Sequence, residues 1–370
     1  MSVIVKAVVD VLSKEECKTT RSLWEEVFLE DSVRFTDYYF ENKAEKNVGY
    51  VIGQAPYDAM MFRTPYPLQI GKTQKEISYI VGVATRKECR HRGYMRKLLV
   101  HSFREMYKEK MPFTFLMPAN PAIYEPFDFQ YVYERDVWEL KEPEKTIELL
   151  EILTAQGKEY SCEKFHGLCS VRNLRKQFPE FPIFQLLSEF SNKYLKEHYN
   201  IYVHRDVVYY EMQLKESEAQ NGDIYVFLRD GEIKAFFLYA KEGEEVFIQE
   251  VMEEKEGTLE FLQKAEKKKP VIMARIIHLE EMMKLVCGKE IRTVVIEIKD
   301  ELIPENAGVY EWKITPDGSQ VTKIHGNVSS EKKDFVELKA AQMESKPESS
   351  MHIRDLVTQV LKGVFINEIV

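Results

Sequence analysis

The stretch from Ile77 to Lys110 constrains the chain more than any other. Ile77-Ser-Tyr-Ile-Val-Gly-Val-Ala-Thr85 is an apolar run rich in Val, Ile and Tyr, the composition of a buried strand. A basic loop follows, Arg86-Lys-Glu-Cys-Arg-His-Arg-Gly-Tyr-Met95. From Gly93 onward Met95, Leu98, Leu99, Ser102, Phe103 and Met106 recur on one helical face, opposite Arg96, Lys97, Arg104 and Glu105, until Met111-Pro112 ends the helix. A glycine at a loop-to-helix junction lets a ligand approach the backbone. The first helical N–H groups lack intrahelical acceptors, so they can bind an anion. Arg86, Lys87, Arg90, Arg92, Arg96 and Lys97 gather positive charge at this turn, in a chain of 370 residues whose formal net charge is -9. A pyrophosphate suits that chemistry. A solvated basic helix start is the plain alternative, and local composition does not choose between them.

The acidic balance argues against nucleic acid as a partner, since binding to a phosphate backbone rests on neutralisation by Lys and Arg. The five cysteines, Cys17, Cys89, Cys162, Cys169 and Cys287, are odd in number and form no CxxC pair, so neither a disulfide framework nor a structural metal is expected. The opening segment interrupts its short apolar run with Lys6 and shows no cleavage site, and nowhere do about eighteen apolar residues run together. A cytoplasmic protein without a membrane partner is the expectation.

A chain of 370 residues has the length of two or three domains. Ser13 with Glu15 and Glu16 marks a helix start, after which Leu23, Trp24, Val27 and Phe28 share one face. Gly49 to Met61, Glu76 to Thr85 and Phe113 to Met117 read as strands. Past Glu139 to Lys145, a second α/β region contains the hairpin Ile224–Leu228 and Ile233–Ala240 around Arg229-Asp230-Gly231-Glu232. The segment Glu244 to Val251 follows, then Met252 to Gly257, acidic where the first region is basic. This echo is a degenerate repeat or chance. Beyond the EKKKP stretch ending at Pro270, a helix at Leu279 to Val286 and strands at Arg292–Lys299, Gly308–Thr315 and Gly318–Ile324 make a smaller α+β region.

Arg90-His91-Arg92-Gly93-Tyr94-Met95 resembles the pyrophosphate loop of the GCN5-related N-acetyltransferase (GNAT) family, Arg/Gln-x-x-Gly-x-Gly/Ala after a V-A-T-like strand end. Met95 stands where a small residue is usual. Asn120-Pro-Ala-Ile-Tyr124-Glu-Pro-Phe-Asp128-Phe129 resembles the family's second element, with Asp128 at its glycine position; Asp tolerates a left-handed backbone better than most residues. With the degenerate copy, and with Met273 to Met282 and Pro304 to Gly308 in the last region, the whole chain resembles the enhanced-intracellular-survival (Eis) family. That resemblance implies an α/β (α+β) architecture of tandem GNAT folds, each a mixed, mostly antiparallel sheet with helices on both faces. These would occupy residues 1–142 and 143–268, ahead of a sterol-carrier-like α+β domain at 269–370.

The resemblance implies an acetyl-CoA-dependent N-acetyltransferase with one cofactor per chain and no metal, acting on a primary amine of a small molecule or peptide. Main-chain groups of Val83 and Thr85 would hold the pantetheine arm. Arg90, His91, Arg92, Gly93, Tyr94, Met95 and Asn120 would complete the cofactor site. Tyr124 would protonate the departing thiolate, a core aromatic being the plain alternative. The Val370 carboxylate would serve as base. Trp24, Phe35 and Tyr38 are candidate acceptor-site residues, although their helix could equally belong to the core. A homo-oligomer is expected. Two other functions stay open: a non-catalytic lipid or small-molecule binder using the last domain, and a regulatory module that senses acetyl-CoA.

Overall fold

The computed structural model describes residues 7–155, 165–242, 245–324 and 350–367. The first region runs β1 (Asp10–Leu12), α1 (Arg21–Val27), α2 (Val33–Asn42), β2 (Val48–Ile52), β3 (Ala59–Ile70), β4 (Thr73–Thr85), α3 (Tyr94–Lys108), β5 (Phe113–Leu116) and β6 (Gln130–Arg135). The second comprises β7 (Trp138–Leu140), α4 (Pro143–Thr154), β8 (Gly167–Ser170), α5 (Val171–Gln177), α6 (Ile183–His198), β9 (Ile201–Val203), α7 (Val207–Ala219), β10 (Asp223–Arg229), β11 (Glu232–Glu242), β12 (Glu245–Glu253) and β13 (Leu262–Lys264). Then come β14 (Lys269–Ile276), α8 (Leu279–Leu285), β15 (Arg292–Lys299), β16 (Gly308–Thr315), β17 (Gly318–Ile324), β18 (Ser350–His352), α9 (Ile353–Val360) and β19 (Val364–Phe365).

Local chemistry accounts for the element boundaries. The Ser32 hydroxyl accepts from Phe35 N–H and starts α2, a cap worth about 1 kcal/mol. On α3 the residues Leu98, Leu99, Ser102, Phe103 and Met106 are buried, the expected face. The hairpin between β10 and β11 turns on Asp230 and Gly231, both with positive φ, as a two-residue loop requires.

Among the described residues the strands form three sheets. The first has the order β1-β2-β3-β4-β5-β14-β6, with β9 on the edge of β3 and β19 beside β9. Its neighbours are antiparallel except β4 and β5, which are parallel, and β9 with β19. The stretch from Lys269 to Ile276, expected at the head of the last domain, is therefore an interior strand of the first sheet. It sits between β5 and β6, so residues 136–268 lie between two hydrogen-bonded neighbours of that sheet. An apolar run such as Val271 to Ile277 carries no information on which sheet it joins.

The second sheet, β13-β7-β12-β11-β10-β8, contains the run β8-β10-β11-β12, in which helices separate the first two strands as α1 and α2 separate β1 from β2. Both copies also break register between their last two strands, at Met60/Phe62 and at Leu238/Tyr239. The echo in sequence thus has a structural counterpart. Past β12, however, bends and a turn replace the helix that follows β4. The third sheet, β17-β16-β15-β18, packs with α8 and α9.

Candidate active site

The site grows from a defect in the first sheet. Opposite Met61 of β3, strand β4 carries two residues, Gly82 and Val83, and this bulge sharpens the local bend. Gly82 has φ +62°, and a Cβ there would lie 2.8 Å from Trp24 Cζ3 and 3.1 Å from Phe62. Gly82→Ala should therefore cost about 1–3 kcal/mol. Calorimetry would read this as a Tm lowered by about 2–4 °C for each kcal/mol. Gly71→Ala, with φ +55° but nothing within 4 Å, isolates the backbone contribution and should cost less.

On its other edge β4 meets β5 at one ladder position, Tyr79 opposite Phe115. From Ile80 to Thr85 that edge of β4 has no ladder partner among the described residues. Such main-chain groups are natural hydrogen-bonding sites for an extended ligand arm. Val83 and Thr85 both lie here and are half-buried.

Strand β4 runs into the basic loop. His91 and Gly93 are left-handed, with φ of +62° and +73°, and Gly93 is the N-cap of α3. A Cβ on Gly93 would meet nothing within 4 Å, so the glycine serves the backbone turn and an open approach to it, not packing. The Tyr94, Met95 and Arg96 amides have no intrahelical acceptor. Met95, where a small residue is usual, is half-buried against the core. Arg90 Nε donates to the Thr85 carbonyl (3.3 Å) and Arg92 Nη2 to the Glu88 carbonyl (2.9 Å); both guanidinium groups and His91 are exposed. Three of the other cations have their own partners. Arg86 faces Glu26 at 3.3 Å, Arg96 lies over the Phe127 ring, and Lys97 reaches the Ala7 carbonyl.

Strand β5 leads into the turn bearing Tyr124. Because β4 and β5 are parallel, this turn lies at the same end of the sheet as the unpaired edge of β4 and the basic loop. Asn120 is exposed, and its Oδ1 accepts from Ala122 N–H (3.1 Å). Tyr124 is 9% exposed, and its hydroxyl makes no hydrogen bond among the described residues. Burial pushes this phenol up to about 12, so it keeps its proton at neutral pH. Asp128 closes the turn with φ +64°, the left-handed conformation expected of it.

A buried arginine absent from the sequence reading holds this turn. Arg275 on β14 is 0% exposed; its Nε donates to the Phe127 carbonyl (2.8 Å), Nη1 to the Ile276 carbonyl (2.8 Å) and Nη2 to Asp300 Oδ1 (2.8 Å). Asp128 Oδ2 lies 3.5 Å from Nη2, and His352 Nδ1 is 3.6 Å from Asp128 Oδ1. Burial raises the Asp128 carboxyl above its ordinary range, although Arg275 and His352 pull it down. The signal was available: a lone arginine inside Val271 to Ile277 must be buried with partners or break the run.

The acceptor-site candidates fall in packed interior. Trp24 stacks on Tyr39 and donates Nε1–H to Asp31 (2.7 Å). Phe35 and Tyr38 are buried with Ala219 of α7, and the Tyr38 hydroxyl reaches the Met212 carbonyl and Glu216, each at 3.2 Å. Their helix packs against the second region, the core alternative. Val370 lies outside the described residues. Among the described residues no group of three or more His, Cys, Asp and Glu could hold a metal ion, and no helix is long and apolar enough to cross a membrane.

Residues 9–132, which contain the bulged β4, the left-handed glycine opening α3 and the tyrosine turn after β5, match the acetyltransferase (GNAT) domain model. Three solved structures share the fold of nearly the whole chain. One is a conserved protein of unknown function from Enterococcus faecalis, described as a probable N-acyltransferase, at 14% identity and TM-score 0.69 over 97% of this chain and 90% of that one. A GCN5-related N-acetyltransferase from Kribbella flavida is similar at 12% identity and TM-score 0.63, over 99% and 100%. Eis1 from Mycobacterium abscessus is similar at 10% identity and TM-score 0.61, over 96% and 89%. No curated protein matches the sequence.

Proposed function

We propose that the chain is an acetyl-CoA-dependent N-acetyltransferase acting on primary amines of small molecules or peptides. The observation that carries this reading is the convergence, at one end of one sheet, of the unpaired β4 edge, the open Gly93 turn and the hydroxyl of Tyr124. Acetyl-CoA would supply an activated acetyl thioester. The Tyr94, Met95 and Arg96 amides, with Arg90 and Arg92, would hold its pyrophosphate, the α3 N-terminus adding a favourable dipole. Main-chain groups of Val83 and Thr85 would hold the pantetheine arm, and a β4 amide would donate to the thioester oxygen. Tyr124 holds a proton at Oη for the sulfur that leaves, while the amine's proton is lost to solvent or a base. The matching E. faecalis, K. flavida and M. abscessus proteins, named as acyl- or acetyltransferases or Eis1, support the reading at the level of fold.

Two measurements on binding follow. Acetyl-CoA at about 100 times its dissociation constant should stabilise the native state by about 2.7 kcal/mol, seen as a raised Tm. Replacing Arg90 and Arg92 together by Ala should weaken binding by about tenfold or more, because two charge-assisted contacts are lost. Unchanged affinity in the double variant would move the pyrophosphate elsewhere.

A further inference from the structure

The segment that carries Tyr124 is anchored at its far end. Two short 3-10 turns, Pro121–Ile123 and Glu125–Phe127, meet at Tyr124, whose N–H donates to the Pro121 carbonyl (2.9 Å) and whose carbonyl accepts from Phe127 N–H (2.9 Å). No residue of the first turn is buried, and its cap, Asn120 Oδ1 accepting from Ala122 N–H, is local. The second turn ends in Phe127 and Asp128, both buried, where Arg275 holds the Phe127 carbonyl.

Asp128 does more than close this turn. At φ +64° a glycine would serve the backbone without strain, so the backbone alone does not call for a carboxylate. The side chain lies between the Arg275 guanidinium, 3.5 Å from Oδ2, and the His352 imidazole, 3.6 Å from Oδ1. His352 stands opposite Lys299 in the parallel pair of β18 and β15, so His352 and Asp300, the residue after Lys299, come from one end of the third sheet. Asp300 in turn binds Arg275 Nη2. Through these two residues the last region reaches the turn that bears the tyrosine.

Tyr124 needs such an anchor. Its hydroxyl has no hydrogen bond among the described residues to aim it, so its direction rests on the backbone of the turn and on ring packing. The ring lies edge-on to Phe129, the residue after Asp128, and Phe129 packs on Phe103 of α3 with centroids 6.1 Å apart. Arg275 also lies over Phe103, at 4.8 Å, so one guanidinium ties the turn to the helix that opens at Gly93. Misplacing a reacting group by about 1 Å can cost about a hundredfold in rate.

We infer that Asp128 is a positioning residue for acetyl transfer: its carboxylate, set between Arg275 and His352, fixes the turn that aims Tyr124 Oη at the departing sulfur. This rests on the acetyl-transfer reading with Tyr124 as the acid.

The test is steady-state CoA release by the full chain with acetyl-CoA and an accepting primary amine, in a double-mutant cycle of Asp128→Gly and Tyr124→Phe. Glycine suits the left-handed backbone and removes only the side chain. Asp128→Gly should lower kcat about tenfold or more and leave KM for acetyl-CoA within about twofold, since Asp128 touches none of the residues assigned to the cofactor. In the Tyr124→Phe background the same change should cause no further loss, a result that a merely structural role would not produce. If Asp128→Gly does not fold, Asp128→Asn, which also tolerates this backbone, should show the same pattern with a several-fold loss. Wild-type kcat in the folded Asp128 variant, or an equal loss in both backgrounds, would overturn this inference alone. Absence of amine-dependent CoA release in the wild type, or wild-type kcat in Tyr124→Phe, would instead overturn the reading beneath it, and the inference with it.

Discussion

Tyr124→Phe is expected to lower the turnover number by about a hundredfold or more while acetyl-CoA affinity stays at the wild-type level. The ring is buried against Phe129, with centroids 6.0 Å apart, so phenylalanine keeps the packing and removes one hydroxyl. That hydroxyl has no hydrogen bond to lose among the described residues, and the substitution should therefore leave Tm nearly unchanged. A fall in turnover without a fall in stability isolates the proton. The pH profile supplies an independent check. Because burial pushes Tyr124 up to about 12, the donor stays protonated through pH 8 to 10, and loss of its proton should not lower the rate in that range. Wild-type turnover in Tyr124→Phe would remove Tyr124 from the mechanism.

Arg275→Met is expected to be the most destabilising single change at the site, by about 3–5 kcal/mol, since it leaves a buried carboxylate without its cation. Asp300 is buried and already accepts from Leu302 N–H (3.0 Å), Ile303 N–H (2.9 Å) and Asn306 Nδ2 (2.9 Å), which hold its charge in place when the guanidinium is gone. The Phe127 carbonyl would also lose its donor, loosening the turn from Tyr124 to Asp128. Denaturant unfolding should show the loss as a lowered midpoint. Arg275→Met with Asp300→Asn should recover part of it, because the second change removes the stranded charge. A midpoint within experimental error of wild type for Arg275→Met would mean that these contacts contribute nothing to the fold.

The elements legible in sequence were those fixed by neighbours in the chain. Helix α3 shows in its period and its glycine, the β10–β11 hairpin in Asp230-Gly231, and the left-handed turn at Asp128 in the tolerance of aspartate for that backbone. What stayed hidden depends on contacts between distant segments. Val271 to Ile277 is equally apolar in any sheet, so its place between β5 and β6 could not be read locally. Phe35 and Tyr38 look alike as pocket aromatics or core aromatics until α2 meets α7, and so does Trp24 of α1 until it stacks on Tyr39. Arg205 is the complementary case: a cation beside apolar strand β9 whose partner, Glu250, lies in β12. Its burial could be suspected from sequence, whereas its partner could not.

Release of free CoA, matched mole for mole by appearance of an N-acetylated product, tests the central claim most directly. Purified protein is incubated with acetyl-CoA and a panel of primary amines: a polyamine, an aminoglycoside and a lysine peptide. The account predicts amine-dependent CoA release with the acetyl group on nitrogen, at a rate lowered by Tyr124→Phe. Acetyl-CoA that binds tightly yet releases no CoA with any of these amines, or releases it at the same rate without amine, would contradict it.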